Sequence, residues 1–204
     1  MATRRDRVTG AAAILGGLLV VVVSAPSPWY GLRAHDSYVF SPAPFSPLWV
    51  DRYVVPALTV VTVLALLAGL AGLVARDWRD FGRAGRWGGG AAVVGGGLMA
   101  VATPVFFVGV GRPSGTNALL ALATLLVGAL GAVLVGFGFV GLGYAYRVAG
   151  RPRLGSVFFA AIVVPPMLGY LMPPAVKVVV AMMPVGLAWV AVGVELLGRW
   201  PRGA

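Results

Sequence analysis

The sequence contains no cysteine, one histidine (His35), one lysine (Lys177) and six acidic residues in 204 positions. Without cysteine there are no disulfides, thiolate-held metals, cysteine nucleophiles or cysteine-ligated clusters. A lone histidine excludes bis-histidine haem ligation within one chain, and with so few carboxylates beside it a transition-metal site is poorly supplied. Charged residues make up only 11% of the chain, against about 25% in an ordinary soluble domain. No catalytic constellation, cofactor motif or metal-ligand spacing can be assembled from so small a polar inventory.

What is present is apolar, at 59% of residues. A hydrocarbon core about 30 Å thick needs roughly 20 apolar residues per helix. Six stretches qualify, at 8–25, 54–75, 88–110, 118–143, 154–172 and 175–197. Together they leave no room for a separate soluble domain. A membrane β-strand alternates apolar and polar residues, whereas "VVPALTVVTVLALLAGLAGLVA" is apolar on every side, so helices are expected. Helices also satisfy their own backbone polar groups in lipid. The expected fold class is all-α, a polytopic membrane bundle of six transmembrane helices forming one integral membrane domain over residues 1–204.

The net charge of +10 follows topology rather than nucleic acid. With the N terminus inside, twelve arginines lie on the inner side (4, 5, 7, 76, 79, 83, 86, 147, 151, 153, 199 and 202). Arg33, Arg52, Arg112 and Lys177 lie on the outer side. That bias predicts both termini in the cytoplasm of a multi-pass cell-membrane protein. "TRRDR" followed by an apolar run ending "VVVSA" resembles a signal peptide. Pro26 would obstruct cleavage, so the first helix is expected to be retained, and the "RR" pair is a weak match to a twin-arginine signal.

Short links predict antiparallel hairpins of helices three with four and five with six, while the long 26–53 loop leaves helices one and two free to sit apart. No inverted repeat of three plus three helices is visible. Thirty glycines point to close helix packing through small residues. Ala65, Ala68, Gly69 and Gly72 mark a strip on helix two, and Ala92, Gly96 and Ala100 mark one on helix three. Helix four carries two strips, Gly128, Ala132, Gly136 and Gly143 on one side and Gly131, Gly138 and Ala145 on another. They predict a central helix clasped from both sides. Pro165 and Pro166 mark the fifth helix as the best candidate for a break, either an ordinary kink or a midplane substrate site.

"GFGFVG" at 136–141 matches the dinucleotide fingerprint in letters only, because it lies inside a membrane span instead of between a strand and a helix. "GRPSGTN" lacks the lysine and hydroxyl of a phosphate loop and reads as a turn. His35 and Asp36 are the nearest approach to a catalytic pair, but Ser37, Ser41 and Asp51 stand at no triad spacing, and a solvated loop histidine is the better reading. Loop 26–53 also holds seven of the 21 aromatic residues. Trp29, Tyr30, Trp49 and Tyr53 suit an outer aromatic belt, and Trp78, Trp87, Tyr144, Tyr146 and Trp200 an inner one. The remainder of the loop forms a cap suited to a membrane-protein partner.

Glu195 is the only carboxylate inside an expected span, which makes it a functional candidate by default. Arg199 follows at the favourable i, i+4 spacing, so an interfacial ion pair is expected. Lys177 is expected to snorkel to headgroups. The inner loop "RDWRDFGRAGRW" suits anionic lipid headgroups. Taken together, the residues predict a non-catalytic structural or accessory membrane subunit that binds neither cofactor nor nucleic acid. The alternative is a small-solute or lipid transporter using a broken fifth helix and Glu195. Six helices is an architecture shared by unrelated proteins, so fold analogy adds nothing to function.

Overall fold

A computed structural model describes residues 3–24, 45–46, 49–110, 115–171 and 177–198. Those residues are all-helical. There are six α-helices: α1 (Arg4–Ser24), α2 (Val55–Asp77), α3 (Arg83–Val110), α4 (Gly115–Val148), α5 (Pro152–Leu171) and α6 (Lys177–Leu196). A π-helical stretch, Val50–Val54, leads into α2. Among the described residues four helices are long and apolar enough to cross a membrane, over Asp6–Ser24, Val55–Asp77, Arg83–Phe107 and Ala118–Val148. Two shorter apolar segments, Pro152–Leu168 and Val180–Leu196, lie in α5 and α6.

Local chemistry sets the helix ends. Thr3 and Asp6 cap α1 reciprocally: the Asp6 amide donates to Thr3 Oγ1 at 3.1 Å and the Thr3 amide donates to Asp6 Oδ2 at 2.9 Å. Pro56 sits in the first turn of α2, so its missing amide proton falls where the π-helical stretch Val50–Val54 passes into the α-helix. At the end of α4 the chain turns through Gly150, whose φ of 75° is left-handed. There the Arg151 amide donates back to the Tyr146 carbonyl at 2.8 Å and the Gly150 amide to Arg147 at 3.2 Å. This paired closure is a Schellman motif, and Pro152 then opens α5. The tetrapeptide Ala149-Gly150-Arg151-Pro152 thus reverses the chain in the fewest residues and fixes where Arg151 emerges.

The helices run up and down, with the starts of α1, α3 and α5 at the same end as the finishes of α2, α4 and α6. Among the described residues, α2, α3, α4, α5 and α6 contact one another in sequence, and α6 returns to α2, closing a five-membered ring. α1 packs outside the ring against α2 and α6. The long first loop therefore does not separate helices one and two as expected. Small residues explain why: a Cβ on Gly69 would lie 2.5 Å from the Ala13 Cβ, and one on Gly17 would lie 2.5 Å from the Gly186 carbonyl oxygen. Backbones this close exchange dispersion contacts that no larger residue allows.

α3 and α4 form the most extensive pair. Gly131 meets the Gly95 carbonyl, Gly138 meets Ala92, and Ala145 approaches Gly85, so one expected strip of α4 is its α3 interface. The other strip does not clasp a second helix along its length. Gly143 meets Gly155 and Phe159 of α5, but nothing lies within 4 Å of a Cβ on Gly136. α4 is accordingly not a central helix; only 6% of its most apolar window is buried, and Leu119, Leu122 and Phe137 are exposed. In lipid a small-residue strip does not demand a second protein neighbour, which is why the two strips overstated the burial of α4. The helix assigned to α5 runs unbroken through Pro165 and Pro166, contrary to the expected break. Pro165 is half-buried and Pro166 exposed.

Candidate functional site

The helix ends that converge at the arginine-rich end of the bundle carry a buried charge cluster. On α2, Leu70, Leu73, Val74 and Asp77 are all buried, following the i, i+3, i+4, i+7 period of an inward face. Asp77 therefore continues the apolar stripe and is carried inside with it, its side chain only 8% exposed. On α4, Phe139, Leu142 and Tyr146 follow the same logic and are buried. The Tyr146 ring is fixed edge-on to Phe81, with centroids 5.2 Å apart, and stacked on Phe158 at 5.8 Å.

An isolated carboxylate in such a place would be strongly disfavoured. Asp77 instead accepts four hydrogen bonds. Arg76 donates from Nε to Oδ1 at 2.9 Å and from Nη2 to Oδ2 at 3.2 Å. Tyr146 donates its hydroxyl to Oδ2 at 2.8 Å, and Arg151 donates Nη1 to Oδ2 at 2.9 Å. The two guanidiniums then reach Glu195 on α6. Arg76 Nη1 donates to the Glu195 carbonyl at 3.1 Å, and each arginine's Nη2 stands 3.5 Å from Glu195 Oε1. Two acids and two bases thus join α2, the end of α4, the α4–α5 turn and α6. The short, charge-assisted bonds are those to Asp77; the contacts to Glu195 Oε1 are at the long limit.

Of the residues singled out from sequence, Glu195 joins this cluster, with Arg76 and Arg151 as its partners. Arg199, His35 and Asp36 lie outside the described residues, as does the greater part of loop 26–53. Pro165 and Pro166 lie on α5 away from the charges. Tyr146, expected in an inner aromatic belt, is 1% exposed and faces the core because its hydroxyl serves Asp77. Trp78, Trp87 and Tyr144 are exposed at 41%, 80% and 58%. The segment 76–86, from the end of α2 to the start of α3, is divided: Arg76, Asp77 and Phe81 turn inward, while Arg79, Asp80, Arg83 and Arg86 stay exposed.

Asp77, Arg76, Arg151 and Tyr146 escaped the sequence reading because Asp77 lies just past the expected span and Arg199 offered Glu195 a local partner. The periodic signal from Leu70 to Asp77 was available in the sequence. Among the described residues no group of three or more potential metal ligands occurs, and every buried side-chain nitrogen or oxygen has a hydrogen-bond partner. No protein-family model matches this chain, and searches of curated proteins and of solved structures returned no match.

Proposed function

We propose that this chain is a multi-pass membrane protein of the non-catalytic structural or accessory kind, with all six helices in the bilayer and both termini in the cytoplasm. The observation that carries this reading is the fourfold satisfaction of Asp77. The buried charges of the described residues are engaged with one another and join helices, which is the behaviour of a clasp. Small-residue contacts between α1 and α6 and between α3 and α4 supply the rest of the cohesion.

The exposed Arg79, Arg83, Arg86 and Arg153 stand at the same end as the clasp. They suit anionic headgroups of a cytoplasmic leaflet, each contributing on the order of 1 kcal/mol near a charged surface. Partner binding is assigned to the aromatic loop 26–53. The transport reading loses the broken helix it called on, since α5 is continuous, and retains Glu195, whose Oε1 lies 3.5 Å from each of two arginines.

Native mass spectrometry of the chain, extracted from its own membrane with loop 26–53 intact or with Tyr38 and Phe40 replaced by serine, tests this. A stoichiometric protein partner that the serine variant loses is the expected result. A lone chain, with solute accumulation in vesicles that Glu195→Gln abolishes, would overturn the accessory reading.

A further inference from the structure

The five-helix ring holds a partly open cavity of about 320 Å³ midway along the bundle, lined from α2, α3, α4, α5 and α6. That is the lower end of the range for small-molecule sites, roughly 300–1,000 Å³, and about twice an engineered apolar cavity that binds benzene. The lining side chains are aliphatic or aromatic. The only strong hydrogen-bond donor among them is the Trp189 indole N–H, and it is committed to the Leu66 carbonyl at 2.9 Å. One turn nearer the charge clasp on α2, α4 and α5 stand Leu73, Leu142 and Phe158, which have no exposure at all.

A polar solute entering this space would lose its hydration and gain no partner. A hydrocarbon loses nothing and restores the dispersion contacts that a void withholds from its walls. Among the lining residues Ala132, at the middle of α4, is the exposed one. In a spanning helix that level is bilayer hydrocarbon. We propose that the cavity is a binding site for the acyl chain of a bilayer lipid, which enters beside Ala132 while the headgroup stays outside the ring. The inference is independent of whether the protein is an accessory subunit.

The cavity wall supplies both a probe and a plug. Trp189 is 4% exposed, so a quencher on a lipid outside the ring is kept off its face. Gly136 lines the cavity, and a Cβ built on it meets nothing within 4 Å, so Gly136→Leu fills the space without displacing backbone. Gly90 is equally open but lies away from the cavity, and Gly90→Leu is the matched control. The full-length chain carrying phenylalanine at the other five tryptophans is reconstituted in phosphatidylcholine with plain or dibrominated acyl chains.

The expected result is loss of Trp189 fluorescence in the brominated bilayer, most of it reversed by Gly136→Leu and none by Gly90→Leu. Retained helicity by circular dichroism certifies each variant, and Ala132→Leu replaces Gly136→Leu if that chain does not fold. Absence of quenching in the parent, or equal quenching in the parent and a folded cavity-filled variant, overturns the proposal.

Discussion

The Tyr146 hydroxyl donates to Asp77 Oδ2 at 2.8 Å across 69 positions of sequence. This bond links the last turn of α2 to the last turn of α4, two helices whose backbones make no close approach among the described residues. It closes the end of the ring at a point where backbone packing does not. The same oxygen accepts from Arg151, so the α4–α5 turn is tied to the same atom.

Replacing Asp77 by asparagine leaves two guanidiniums facing a neutral acceptor. Breaking a buried pair costs about 3–5 kcal/mol, and the lower end applies because the Arg151 side chain is 40% exposed and screened. Asp77→Asn is therefore expected to destabilise the bundle by about 3 kcal/mol, read as reversible unfolding in mixed micelles. A change below about 0.5 kcal/mol, the usual size for a surface substitution, would remove the clasp from the account.

Glu195→Gln should cost much less. Its Oε1 lies 3.5 Å from both arginines, and the Arg76 bond to its backbone carbonyl survives the change. The expected loss is about 1 kcal/mol or under, with helix content unchanged. A larger effect than that of Asp77→Asn would make Glu195 the principal anchor.

The α1–α6 contact is sterically strict. A Cβ on Gly17 meets the Gly186 carbonyl oxygen at 2.5 Å and the Val190 amide nitrogen at 3.0 Å, both backbone atoms that cannot swing away. Gly17→Leu is expected to destabilise by at least the 1–3 kcal/mol or so of an overpacked core. Gly90→Leu, with open space around it, should be neutral or mildly stabilising because leucine favours helix. Comparing the two in the same unfolding assay separates packing from bulk.

The absence of cysteine makes every introduced cysteine unique. Arg153→Cys is expected to react with a membrane-impermeant maleimide only from the cytoplasmic side, and Phe45→Cys only from the opposite side. Labelling of both from one side would contradict the up-and-down threading.

The number and type of the helices were legible in six apolar runs, of which four become helices long and apolar enough to cross a membrane among the described residues. Interhelix strips were legible where small residues recur, as at Gly69 and Gly72 facing α1. What escaped was the third dimension of the ring. Nothing in residues 118–143 says that one strip of α4 packs on α3 while Gly136 opens on a cavity, since lipid and protein interior ask for the same residues. The charge cluster escaped for a different reason. Glu195 had a partner in sequence at Arg199, whereas its partners in space come from residues 76 and 151, and only the periodic continuation from Leu70 to Asp77 announces a buried carboxylate.

The most direct test of the clasp is a double-mutant cycle on Asp77→Asn and Tyr146→Phe, with unfolding free energies measured for the parent, both single variants and the double variant. Removal of the hydroxyl alone should cost about 1.5–3 kcal/mol, as for a hydrogen bond to a charged group. The account predicts a coupling within the range of about 0.5–3 kcal/mol found for contacting residues, because the tyrosine has little left to lose once the carboxylate is gone. Additive losses would show that the two residues do not act through each other and would contradict the clasp.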